Sequence, residues 1–230
     1  MRGPWTTRAL AVVAAAAMLV LSGCSSTSTV NTFEGKSAQQ ILDLSKAAAA
    51  AAGSVHVAGS MASSGSTLTL DLSLGKGGVG HGTVTAPSGS FQLISDGTSV
   101  YVKADAAFWT QAGGEAFAKK IGDKWVVGSV TDANLANFAS MADFSTAVKD
   151  LLTPGAGTLS RVSATEYKGA PAVGLSDGAQ GTLWIAATDE PLPLAIEGGS
   201  NGTLTFTEWG SAVTATAPPS ASTVDVATLG

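Results

Sequence analysis

Several stretches of the 230-residue chain have residue types and spacings that could do chemistry. Gly75-Lys76-Gly77-Gly78-Val79-Gly80 fits the GxGxxG pattern in which backbone amides cradle phosphate at the start of a helix. The residues after it, His81 to Thr85, read as strand, so the glycines predict a hairpin turn. Gly174-Leu175-Ser176-Asp177-Gly178 fits the nucleophile elbow of serine hydrolases, which requires a helix after the serine and a histidine downstream. Another strand follows instead, and both histidines, His56 and His81, lie far upstream. Ser73 and Lys76 have serine–lysine spacing but fall at the end of a strand, without the companion motifs. Two histidines without cysteine partners give no zinc set. The expectation is a chain with no catalytic residues, no metal and no cofactor.

One residue does carry a specific chemical signal. Arg2 and Arg8 flank a short positive region, and the uncharged apolar run 9–21 is shorter than the roughly 20 residues of a spanning helix. Leu21-Ser22-Gly23-Cys24 follows, an apolar residue and two small ones before a cysteine, which is similar to a bacterial lipobox. In proteins with that motif the thiol carries a diacylglyceryl group and the signal is cut just before the cysteine. This accounts for the single cysteine of the chain and leaves no disulfide. Two acyl chains supply the double anchoring that one cannot, at about 0.8 kcal/mol per buried methylene. The sequence therefore divides into a signal peptide over 1–23, a Ser/Thr-rich tether over 24–36 and a folded domain over 37–230.

Composition narrows the rest. Charged residues are 13% of the chain, against about 25% in a typical domain, and the net charge is −5. Loss of Arg2 and Arg8 with the signal makes the mature surface more acidic, so nucleic acid is not an expected partner. Ser37 stands three residues before Gln40, a capping-box spacing, and the helix it opens runs through the alanines 47–52 to Gly53. Leu68, Leu70, Leu72 and Leu74 alternate with Thr67, Thr69, Asp71 and Ser73, the pattern of a strand with one buried face. Further strands are predicted over 79–86, 91–95 and 98–103, with Asp96-Gly97 as a hairpin turn. Short helices over 116–120, 133–141 and 144–152 surround a strand at 124–128. Strands return over 159–167, 170–176, 181–187, 192–197, 203–209 and 212–217, each pair separated by turn residues, with Asn201-Gly202 in one such turn. About ten strands in sequential hairpins predict an α+β domain, in which one antiparallel sheet curls and helices cover its apolar face.

The order of several blocks resembles one family, the actinobacterial LolA-like lipoproteins, including the LppX and LprG group of mycobacteria. The blocks are Ser99-Val100-Tyr101-Val102-Lys103 with Phe108-Trp109, Gly122-Asp123-Lys124-Trp125-Val126, and Gly169 to Leu175 with Gly181 to Ile185. Pro191-Leu192-Pro193-Leu194 and Phe206-Thr207-Glu208-Trp209-Gly210 follow, the second leading to Ala217-Pro218 and Val224-Asp225. The resemblance implies a half-barrel whose concave face leaves an apolar cavity for acyl chains. Strand parity then nominates Leu70, Leu72, Leu93, Val100, Val102, Leu183, Ile185, Leu194 and Phe206 as its lining. The function implied is binding or transfer of a lipid or acylated ligand by a monomer anchored on the outer face of the cytoplasmic membrane. The alternative is a scaffold with a filled core that docks another envelope protein. A Cys24→Ala variant is expected to leave the membrane fraction for the soluble one, as read by ultracentrifugation and immunoblotting.

Overall fold

The computed structural model describes residues 33–63, 65–163, 165–178 and 181–229. Cys24 and the signal segment lie outside the described residues, as does most of the expected tether. Phe33 is already buried, four residues ahead of the expected domain start, because it packs under the first helix against Ile41, Val173 and Ile185. That helix, α1 (Ala38–Ala52), opens on the expected capping box: Ser37 Oγ accepts from the Gln40 amide, and Gln40 Oε1 accepts from the Ser37 amide. The cap stabilises the helix by about 1 kcal/mol. Gly53 ends it in the left-handed region at φ 76°. Its buried residues, Ala38, Ile41, Leu42, Ser45 and Ala49, recur at helical spacing and form one stripe.

Thirteen strands are present among the described residues. They are β1 (Ser54–Ser63), β2 (Ser66–Gly75), β3 (Val79–Ala86), β4 (Gly89–Asp96), β5 (Ser99–Ala104), β6 (Trp125–Ser129), β7 (Ser160–Arg161), β8 (Glu166–Tyr167), β9 (Ala170–Ser176), β10 (Thr182–Ala186), β11 (Pro193–Glu197), β12 (Gly202–Thr207) and β13 (Thr223–Asp225). The helices after β5 are α2 (Ala106–Ile121), α3 (Ala136–Ala142) and α4 (Phe144–Leu151). One open, curved sheet runs in the order β13-β6-β5-β4-β3-β2-β1-β12-β11-β10-β9-β7, with β8 pairing β9 off this path. All pairings are antiparallel except β13 with β6. The α+β class and the helix-covered curved sheet agree with expectation. The strand number exceeds the expected ten because the expected strand over 159–167 forms only as two separate two-residue pieces, β7 and β8, and because β1 and the three-residue β13 carry no clear period.

Other differences are local. β1 is unmarked in the sequence because Gly59 and Ser60 interrupt its alternation. α2 starts at Ala106, ten residues earlier than expected, since Asp105 caps it by accepting from the Phe108 amide at 2.7 Å. Gly113 and Gly114 hide its continuity, and at Gly114 the backbone leaves helical geometry with φ 86° and ψ 171°. The expected strand over 212–217 does not form: residues 211–219 make no strand, and Val213 is the one large apolar side chain that this run offers to a sheet.

Side-chain parity is as the leucine alternation requires. Val57, Leu72, Leu74, Val84, Leu93, Val102 and Val126 face the helices in the main core, whereas His56, Asp71 and Thr207 meet on the outer face, with His56 Nε2 2.9 Å from Asp71 Oδ1. Curvature is written into the strands by glycine. Gly59 pairs with Leu70 on one side and Leu204 on the other, at φ 133°, and a Cβ there would strike the Thr203 carbonyl. Only a residue without a side chain lets β12 approach β1 this closely. Gly59→Ala is expected to destabilise the domain by about 1–3 kcal/mol, seen as a lower urea midpoint with an unchanged slope.

Candidate apolar binding site

The concave face carries two buried clusters rather than one. The larger joins β1 to β6 and Phe206 to α2, α3 and α4; the smaller joins Phe33, Ile41 and Leu42 to Val173, Leu175 and Ile185. α4 spans the ground between them, and with Thr146 and Ala147 turned toward it the space is not filled. A hollow of about 200 Å³ remains under α3 and α4. Val57, Leu70, Leu72 and Leu74 form its floor on β1 and β2, and Met141, Ala147 and Leu151 its roof. Ser140, Thr146 and Asp150 supply the polar rim. Leu151 also borders a smaller hollow of about 60 Å³, lined by Leu42, Leu152, Leu175, Leu183 and Ile196, with Asp177 at its edge.

The nominated residues therefore divide. Leu70 and Leu72 line the larger hollow and Leu183 the smaller. Leu93, Val100, Val102, Ile185 and Phe206 face the same side of the sheet but are packed into the two clusters. Leu194 packs elsewhere, with Ala172, Trp184 and Ala195. The reason is a register shift between Trp184 and Ile185 in the β10–β11 pairing, which breaks simple alternation along β11. Leu74 shares the parity of Leu70 and Leu72 and was legible in the sequence. Val57 lies on the unmarked strand, and Met141, Ala147 and Leu151 line the hollow only because of how α3 and α4 dock.

The sequence motifs resolve into turns. Lys76–Gly78 is a short 3-10 turn between β2 and β3. Ser176 ends β9, and its hydroxyl accepts from the Gly178 amide at 3.1 Å. Gly199–Asn201 is the turn between β11 and β12. No cluster of three His, Cys, Asp or Glu side chains occurs among the described residues. Lys46, Lys76 and Lys149 border a further hollow of about 300 Å³ on the other face of α4, beside Phe144 and Val148. They give the helix layer a locally positive edge in an otherwise acidic chain.

Sheet, helix layer and hollow together define an α+β protein with an open curved sheet, covered on its concave side around a small apolar chamber. No protein-family model matches the chain, and no curated protein matches its sequence. Among solved structures the chain is similar to the crystal structure of LprF from Mycobacterium bovis, with 17% identity and a TM-score of 0.49, over 79% of this chain and 96% of that one. No helix among the described residues is long and apolar enough to cross a membrane.

The two kinds of inward leucine should respond differently to truncation. Leu93 is 1% exposed, so Leu93→Ala is expected to cost about 2–5 kcal/mol. Leu70 is only half-buried and borders a void, and Leu70→Ala should cost under about 2 kcal/mol. Paired urea unfolding curves check the contrast.

Proposed function

We propose that the chain is a non-enzymatic binding protein, tethered through Cys24 to the outer face of the cytoplasmic membrane, that shelters the acyl chain of a lipid or acylated ligand. The observation that carries this reading is the hollow under α3 and α4, walled by Val57, Leu70, Leu72 and Leu74 below and Met141, Ala147 and Leu151 above. An apolar void of this kind holds water poorly and favours hydrocarbon. Each methylene that leaves water contributes about 0.8 kcal/mol. At about 200 Å³ the chamber takes a segment of one acyl chain and not several chains, and the polar rim of Ser140, Thr146 and Asp150 suits a head group held at the mouth.

A second reading, an envelope scaffold that docks another protein, is favoured by the state of Leu93, Val100, Val102 and Ile185, all at most 1% exposed. Much of the concave face is solid core.

Native mass spectrometry with palmitic acid as the probe separates the two. Under the first reading the delipidated protein takes up one palmitate per chain, and Ala147→Trp, which fills the chamber, abolishes the adduct while circular dichroism reports an intact fold. Absence of any adduct on the wild-type protein favours the scaffold.

A further inference from the structure

We propose that Leu151 is a plug that divides one apolar trough into two hollows and thereby sets the length of acyl chain the protein takes. The inference rests on the acyl-chain reading above and adds to it the residue that selects among chains.

The trough follows from strand register. Leu70 on β2 pairs with Gly59 on β1, and Gly59 pairs in turn with Leu204 on β12. Leu204 pairs with Ile196 on β11, Ile196 with Leu183 on β10, and Leu183 with Leu175 on β9. Directly paired residues point to the same side of a sheet, so these positions form one row across the concave face. Every side chain in the row is aliphatic, and at Gly59 there is none. The steps between strands, at about 4.8 Å each, make the row about 24 Å long, the reach of a long extended acyl chain.

The two hollows lie at the two ends of this row. Leu70 lines the chamber of about 200 Å³ under α3 and α4, while Leu175, Leu183 and Ile196 line the hollow of about 60 Å³. Among the described residues Leu151 alone lines both. Midway along the row Leu204 is 1% exposed, so the trough is shut between its ends. Leu151 is the last residue of α4 and is half-buried, which puts the barrier on one aliphatic side chain at a helix end. A chain that enters beside Ser140, Thr146 and Asp150 gains burial along β2 and β1 until it meets Leu151. Methylenes beyond that point stay in water and add nothing to affinity.

The probes are the even-numbered saturated fatty acids from octanoate to stearate, competed in adjacent pairs for the delipidated protein and read by native mass spectrometry. In the wild type each added methylene is expected to strengthen binding by about fourfold up to a break, after which longer homologues bind equally. Leu151→Ala, its fold checked by circular dichroism, joins the hollows and moves the break to a longer homologue. Adding Leu183→Trp, which fills the far hollow, returns the break to its wild-type position. A wild-type affinity that climbs unbroken to stearate overturns the plug without recourse to any variant. So does a Leu151→Ala profile that keeps the wild-type break, or one displaced by the same factor at every chain length, as loosening of the helix end alone would give. A break that stays long in the folded double variant overturns it too. If no fatty acid binds the wild type, the acyl-chain reading itself fails and the plug with it, an outcome distinct from a break that does not move.

Discussion

The structure depends on a sheet whose concave face is apolar, while the opposite face has one small buried apolar cluster, of Ala172, Trp184 and Ala195. From β6 through β1 to β9 the inward positions are leucine, valine, isoleucine and phenylalanine. The outward positions of β2 are Thr67, Thr69, Asp71 and Ser73. A surface of this kind cannot stay exposed; it must be covered or curl on itself. Here it does both. The glycines in β1, β3 and β12 allow neighbouring backbones to close up and the sheet to bend, and α1 to α4 are drawn onto the hollow side that results.

The cover is thinner than the surface beneath it. α3 has seven residues and α4 eight, and both present short side chains such as Ala147 beside a few large ones. Rigid helices of that length, laid across a curved sheet, meet it well at some points and poorly between them. Leu93 and Val102 are enclosed completely, while Leu70 lines a void. Hollows are thus a consequence of mismatched curvature, since close packing needs complementary shapes on both sides. The same mismatch recurs where α2 breaks at Gly114 and leaves its aromatic rings around open space.

Two blocks whose order marks the resemblance turn out to be tied physically. The indole N–H of Trp209 donates to the carbonyl of Pro193, and Phe206 stacks at an angle on the Trp209 ring. The Leu-Pro-Leu strand and the aromatic-Gly strand are thereby joined across β11 and β12, so neither block is an isolated surface feature. The apparent nucleotide and hydrolase motifs, by contrast, are hairpin turns in which glycine and serine serve backbone geometry.

The capped first helix, the parity of β2, the hairpin turns and the α+β class are legible in the order of residues alone. Each of these depends on neighbours within a few residues, where propensity and alternation act directly. The similarity of Leu21-Ser22-Gly23-Cys24 to a lipobox is legible there too, because a covalent processing motif needs no fold. Tertiary structure decided which inward side chains are core and which border space, because Leu70 and Leu93 share a face and differ only in what lies above them. It decided the position of Leu194 through a register shift in β11, and it brought Met141, Ala147 and Leu151 over β2. Such outcomes depend on where separate rigid elements dock, and shape matching between distant segments leaves no periodic trace in the chain.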